Sequence, residues 1–250
     1  MTRYKLTIEY DGAGFHGWQK QADGVVSVQQ VLEEAIKGLS GEEVTLYVAG
    51  RTDAGVHARA NTAHFDLQKE TTADTVRDAL NFYVRPHRVS VIEAVEVAAD
   101  FHARLDAKSR SYRYQIVNRR APLALLAEHA WHVIKPLAIA PMQEAVLCLL
   151  GGKYDFSTFR AHGCQANSPM RTLDRLDIHR DGENIYFDAE ARSFLYHQVR
   201  NMVGTLMMVG VGQWSVADFE KAFKASARSA GGPTAPAEGL TFWEVSYIKE

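Results

Sequence analysis

The chain is poor in cysteine and contains no long apolar run. Two cysteines, Cys148 and Cys164, are too few for a disulfide framework, and Cys148 lies in an apolar run that predicts a core position. The N-terminal segment MTRYKLTIEYDG alternates like a strand and lacks the apolar stretch of a secretion signal. No apolar run approaches the roughly 20 residues that a membrane helix needs. We therefore expect a cytoplasmic protein with no membrane contact.

A strong charge of one sign is also missing. The chain has 28 Lys and Arg residues against 30 Asp and Glu, which gives a net charge of −2. Overall charge therefore does not indicate nucleic-acid binding. Two segments differ: residues 101–120 carry six basic residues and one acid, and residues 191–212 carry two arginines and no acid. Any argument for RNA binding rests on these segments.

The common motifs of metal and cofactor chemistry are absent too. The sequence has no C-x-x-C, H-E-x-x-H, G-x-S-x-G or P-loop pattern, so we expect neither a metal nor a cofactor. Residues 12–17 do match G-x-G-x-x-G after a strand, which keeps a nucleotide-dependent oxidoreductase open as an alternative. However, residues 18–24 separate the match from the next helix, and no acid follows the second strand to bind a ribose. We interpret the match as a shaped loop.

Apolar spacing predicts an α+β protein with a repeated topology. In the first half it predicts strands at 3–11, 44–49, 61–67 and 89–97, and helices after an N-cap at Ser27 and at 74–84. In the second half it predicts strands at 111–118, 172–180, 184–191 and 241–248, and helices at 140–150, 196–210 and 216–225. Asp181-Gly182 predicts a hairpin turn. We expect two ferredoxin-like (RRM-like) halves, 1–104 and 105–250, whose antiparallel sheets form a central cleft.

One acid in the segment AGRTDAGVHARA stands among bases. Asp53 lies in a loop with two glycines and is flanked by Arg51, His57 and Arg59. Residue types alone favour an ordinary turn in which Gly55 supplies a positive φ. A functional role for this carboxylate therefore depends on features found elsewhere in the chain.

Arg200 and two tyrosines supply such reasons. Arg200 lies in the apolar helix YHQVRNMVGTLMMVGVG, with no acid within a helical turn. Its side chain either extends to solvent or pairs with a functional acid from elsewhere in the fold. Tyr112 and Tyr114, two residues apart, share one strand face, which suits either a platform for unstacked RNA bases or a half-buried core.

Several motifs together resemble the TruA family of tRNA pseudouridine synthases, nearly from end to end. They are Gly50–Ala58, Tyr10-Asp11-Gly12, Gly17-Trp18-Gln19, Phe101–Arg104, Ser109–Tyr114, 151–160, Arg171-Thr172, 194–204 and 230–240. One departure is Tyr154, where the family pattern has a histidine before Asp155-Phe156.

The resemblance implies isomerisation of uridine to pseudouridine in the anticodon arm of tRNA, at about positions 38 to 40, after the base leaves the stack. Asp53 is then the catalytic aspartate, and the N1–C1′ bond breaks before C5 joins C1′. Attack at C1′, attack at C6 and a glycal route all stay open. The alternative is a non-catalytic RNA-binding module.

The resemblance also implies the remaining roles. Arg200 pairs with Asp53 and keeps it ionised, while Tyr112 stacks on the flipped uracil and its phenol moves the C5 proton. Arg51 fills the vacated space or holds a phosphate. The other candidate substrate or phosphate contacts are Arg59, Arg110, Arg113, Arg192 and His57, although a structural role is favoured for His57. The implied site lies between the two halves, and the implied assembly is a homodimer with tRNA across both subunits.

Overall fold

The computed structural model describes residues 1–21 and 24–248. Ala22, Asp23, Lys249 and Glu250 lie outside the described residues, and with them part of the loop at 18–24 and the end of the predicted second half. The chain has a mixed α/β fold with mostly antiparallel strand pairing. Its elements are β1 (Thr2–Tyr10), α1 (Val28–Ser40), β2 (Tyr47–Val48), β3 (His57–Leu67), α2 (Ala73–Tyr83), β4 (Val89–Val97), β5 (Ser109–Asn118), β6 (Trp131–Val133), α3 (Ile139–Val146), β7 (Lys153–Asp155), β8 (Met170–Thr172), β9 (Arg175–Asp181), β10 (Asn184–Ala191), α4 (Gln198–Gly210), α5 (Val216–Lys224) and β11 (Leu240–Ser246). No helix of the described part is long and apolar enough to cross a membrane.

The chain divides into two compact units. Unit 1 comprises residues 1–110 together with 241–250, and unit 2 comprises residues 111–240. Each unit has its own set of buried apolar side chains.

Within unit 1, strand β1 is central and pairs antiparallel with both β3 and β4. The apolar alternation of β1 is confirmed, since Tyr4, Leu6, Ile8 and Tyr10 are all buried. The N-cap of α1 is also confirmed: the Ser27 hydroxyl accepts the Gln30 N–H at 3.3 Å. Such a cap satisfies one of the amide groups that a helix start leaves without a partner.

Strand β3 differs from its prediction. It begins at His57 instead of Asn61, because its first residues pair in parallel with Thr241 and Phe242 of β11. All side chains from Asn61 to Phe65 are buried, so polar residues are covered along with apolar ones. Strand β2, predicted at 44–49, is reduced to Tyr47–Val48.

Within unit 2, strand β10 lies between β5 and β9, and β6 pairs in parallel with β5. The Asp181-Gly182 hairpin is confirmed: β9 and β10 pair antiparallel on either side of it, and Gly182 has a φ of 57°. The predicted strand at 172–180 is instead split between β8 and β9.

The predicted helix at 140–150 is shorter than expected. Helix α3 ends at Val146, and a single 3-10 turn, Leu147–Leu149, follows it. Cys148 is therefore half-buried and does not belong to the core, contrary to the sequence prediction. Apolar composition alone could not show this, because the change of helix type rotates the side chains that follow it.

Candidate active site

Asp53 lies in the connection between β2 and β3 of unit 1. Its carbonyl accepts the Val56 N–H at 3.1 Å, and Gly55 has the expected positive φ, 77°. Asp53 is partly buried and Arg51 is exposed. The turn therefore holds the carboxylate close to the protein and the guanidinium in solvent.

The glycine-rich loop at 12–17 packs directly against this turn. The Trp18 N–H donates to Thr52 O at 3.0 Å, and a Cβ on Gly12 would lie 2.2 Å from Val56 O. Gly17 has a φ of 87°, and a Cβ there would lie 2.7 Å from Thr52 O. The next helix begins only at Val28. The shaped-loop interpretation is therefore confirmed: these glycines permit close backbone approach, and the segment lacks the helix start that a dinucleotide fingerprint requires.

Buried polar groups fix the other side of the turn. The Tyr10 hydroxyl lies 2.8 Å from Thr52 Oγ1, and Asn61 Nδ2 donates to Gly50 O at 2.9 Å. Burial raises the pKa of Tyr10 to about 12, so its phenol stays protonated. Because buried hydrogen-bond networks of this kind are rigid, Gly50 and Thr52 are anchored on either side of Arg51.

His57 belongs to β3 and not to the loop. It is 5% exposed, and its Nδ1 accepts the Gly12 N–H at 2.9 Å and lies 3.1 Å from Asp11 Oδ1. Asp11 also binds Arg88 at 2.7 Å. This placement favours the structural role of His57 over a contact with substrate.

Arg110 occupies a similar structural position. It is 8% exposed, its Nε donates to Ala49 O at 3.0 Å and its Nη2 donates to Arg104 O at 2.7 Å. The guanidinium thus supports the chain just before the Asp53 turn, which favours a structural role for Arg110 over a phosphate contact. Arg59 is exposed and lies 4.8 Å over the Trp243 ring, where it is accessible to a phosphate.

In unit 2, the two tyrosines of β5 have different surroundings. Tyr112 is half-buried and meets Phe194 edge to face at 5.1 Å. Tyr114 is fully buried, and its hydroxyl donates to Pro236 O at 2.9 Å. Burial raises the pKa of Tyr114 well above its usual value. Tyr114 is thus a core residue, whereas Tyr112 is only partly covered.

Arg200 is the third residue of α4 and is half-buried. Its Nε donates to Ala235 O at 2.8 Å, and its own carbonyl accepts the Ala235 N–H at 3.1 Å. The segment that carries Ala235 packs closely on the helix, since a Cβ on Gly204 would lie 1.9 Å from Pro233 O. Thr234 adds a hydroxyl donor to Asn201 Oδ1 at 2.7 Å. This bracing of Arg200 was not predicted from the sequence, in which the small residues at 230–235 are the signal for it.

The two remaining arginines proposed as phosphate contacts in unit 2, Arg113 and Arg192, differ in how accessible they are. Arg113 donates to both carboxylate oxygens of Asp188 at 2.7 and 2.9 Å and lies 5.2 Å over the Tyr186 ring. The bond to Asp188 raises the pKa of Arg113. A phosphate would have to compete with this carboxylate, whereas Arg192 is exposed.

Comparison with known proteins adds to this geometry. A family profile described as tRNA pseudouridine synthase matches residues 6–106 and 147–248. The chain is 57% identical over 247 residues to tRNA pseudouridine synthase A of Paramagnetospirillum magneticum, covering 99% of this chain and 96% of that protein. A relative of the same name in Rhodospirillum centenum is 55% identical, covering 99% of this chain and 100% of that protein. Another in Maricaulis maris is 50% identical, covering 99% of this chain and 98% of that protein. The chain belongs to the tRNA pseudouridine synthase family.

The profile of the tRNA pseudouridine synthase family covers Asp53 and Arg200, whereas Tyr112 lies between the two matched ranges. Tyr154, the departure from the family pattern, lies in β7. The residue is 38% exposed, and its ring packs edge to face against Phe223 at 6.1 Å. The substitution is thus accommodated as a surface packing contact.

Proposed function

We propose that this protein isomerises uridine to pseudouridine in the anticodon arm of tRNA, at about positions 38 to 40. The observation that carries the proposal is the bracing of one carboxylate, Asp53, on a turn held by the glycine loop on one side and by Tyr10 and Asn61 on the other. A catalytic group has to be held in place in this way, because small displacements of reacting atoms cost large factors in rate. Family membership supports the same reaction.

The chemistry suits a carboxylate without a metal or cofactor. The N1–C1′ bond breaks, the uracil turns, C5 bonds to C1′, and the proton on C5 leaves while N1 gains one. Asp53 can add to C1′ or to C6 and leave again, or it can assist a glycal route. All three routes need an ionised carboxylate and a base that has left the stack.

Arg200 and Tyr112 act with Asp53 in this proposal. Arg200 keeps the carboxylate ionised, since an adjacent cation favours the charged form. The two hydrogen bonds between Arg200 and Ala235 support such a positioning role. Tyr112 stacks on the uracil and its phenol moves the C5 proton, which its half-buried ring supports. Arg51 and Arg59 are exposed enough to contact RNA, while His57 supports the turn.

The finer architecture belongs to the same proposal. We propose two ferredoxin-like halves, 1–104 and 105–250, with antiparallel sheets that form a cleft. In unit 1 this is supported by the element order β1-α1-β2-β3-α2-β4 and by the neighbours β4-β1-β3, with β2 on β3.

The proposed assembly is a homodimer in the cytoplasm with tRNA contacting both subunits. A net charge of −2 supports it, since one chain offers limited basic surface. Phosphate contacts make binding weaken as salt rises. Binding that stays constant over a wide salt range would contradict this part of the proposal.

Tritium release tests the reaction directly. Transcripts of the anticodon arm carry tritium at uracil C5, and release is followed with wild type, Asp53→Asn and Asp53→Ala. We expect release by wild type and a loss of at least about a thousandfold in both variants. Filter binding checks that all three proteins retain tRNA.

Release by Asp53→Asn at the wild-type rate would remove Asp53 from the chemistry. Binding without release by wild type would favour the alternative, a non-catalytic RNA-binding module. An absence of both would contradict the proposed substrate.

A further inference from the structure

His197 occupies an unusual backbone position at the start of α4. It immediately precedes the helix and has φ 59° and ψ 10°, the left-handed region that non-glycine residues rarely adopt. Its ring lies 4.0 Å from that of Tyr196, centroid to centroid. Its side chain makes no capping bond to the helix, so capping does not explain why a histidine stands here.

The side chain instead contacts the guanidinium of Arg200. His197 Nε2 lies 3.2 Å from Arg200 Nη1. An arginine only donates hydrogen bonds, so Nε2 of His197 is the acceptor in this contact. Nε of the same guanidinium donates to Ala235 O at 2.8 Å.

These two contacts have a geometric consequence. The guanidinium is planar, and two of its three nitrogens are fixed by partners on different segments of unit 2. The position of the third nitrogen, Nη2, follows from the other two.

We propose that His197 is a positioning residue that fixes the orientation of the Arg200 guanidinium for the reaction. The left-handed backbone turns the imidazole back over the first turn of α4, where Arg200 lies. The inference rests on the proposed function, since it assigns His197 an effect on turnover through Arg200.

Two substitutions separate this role from a purely structural one, because the two hypotheses predict opposite rank orders. His197→Asn tolerates the left-handed backbone well, but its amide is shorter by about one bond, roughly 1.5 Å, too far for a hydrogen bond to Nη1. His197→Gln has the reach of Nε2 and tolerates the backbone less well. Tyr196→Phe is the matched control, because it keeps the neighbouring ring and changes neither contact of Arg200.

The experiment measures kcat and KM by tritium release, tRNA retention on filters and the midpoint of thermal unfolding. A positioning role predicts that His197→Asn lowers kcat about tenfold with KM within about twofold of wild type, and that His197→Gln recovers most of kcat. In an Arg200→Lys background His197→Asn should cause no further fall, because the two residues then act as one unit.

A His197→Asn protein with wild-type kcat, or a His197→Gln protein that is both the less stable and the less active, would overturn the inference. So would additive losses in the Arg200→Lys background. Failure of the proposed function gives a different result, since wild type and Tyr196→Phe would then release no tritium either.

Discussion

Substitution of Gly12 by alanine tests how the Asp53 turn is held. The added Cβ would lie 2.2 Å from Val56 O, and an ordinary contact with that oxygen needs roughly 3.5 Å. One of the two backbones therefore has to move by about 1 Å, and Val56 is bonded to the carbonyl of Asp53 at 3.1 Å. The displacement is thus transmitted to the residue that we propose as catalytic.

The expected cost has two parts. Forcing an extra methyl group into a close-packed contact costs about 1–3 kcal/mol of stability, so the protein should stay folded. A displacement of about 1 Å at a catalytic group lowers turnover by about a hundredfold. Urea unfolding measures the first part, and single-turnover tritium release at saturating protein measures the second.

Gly14→Ala is the matched control from the same loop. A Cβ at Gly14 meets no atom within 4 Å, and its backbone is not in the left-handed region. Its turnover and stability should stay within about twofold and about 0.5 kcal/mol of wild type. If Gly12→Ala has wild-type turnover, the close approach of the two loops does not position Asp53, and the bracing argument fails.

Three further predictions concern tyrosine, cysteine and histidine. Tyr114→Phe loses a buried hydrogen bond, so the free energy of unfolding in urea should fall by about 1 kcal/mol while turnover is kept. Tyr112→Phe should instead lower the rate of tritium release and leave stability unchanged, and the opposite result for the two variants would exchange their roles. Iodoacetamide at neutral pH should label Cys164 before Cys148, as peptide mass spectrometry would show. Burial raises the pKa of the Cys148 thiol to about 11. Burial acts in the same direction on Cys164, but hydrogen bonds from amide and guanidinium groups outweigh it and lower the pKa of that thiol. Equal labelling of the two cysteines would contradict this. Burial lowers the pKa of His64 to about 4, so below about pH 6.5 the unfolded chain binds a proton at this residue that the folded chain does not. The free energy of unfolding should therefore fall by up to about 1.4 kcal/mol per pH unit as the pH drops from about 6.5 to 4. An equally steep fall in His64→Phe would refute the assignment.

Much of the fold could be predicted because its signals are local. The N-cap at Ser27, the alternation of β1 and the Asp181-Gly182 turn each depend on a few neighbouring residues, and all three are present. Strand β4 occupies the predicted residues, Val89–Val97. The positive φ of Gly55 follows from the turn that carries Asp53.

The candidate site was predicted only in part. Asp53, Arg200 and Tyr112 came from a resemblance in motifs, and their catalytic roles stay predictions. The bracing of the Asp53 turn by Gly12 and Gly17 could not be read from G-x-G-x-x-G, because the same spacing serves phosphate binding in other folds.

Periodicity and turn chemistry act over a few residues, so the local sequence was enough to predict most of the helices and strands and to place Asp53 in a glycine-containing turn. The full burial of Tyr114 and the partial burial of Tyr112 follow from tertiary packing, since the two residues share a strand face. The tertiary structure also decided that Arg110 serves backbone carbonyls and that Arg200 is held by Ala235. These outcomes depend on segments distant in the sequence, and a local pattern contains no information about what will cover it.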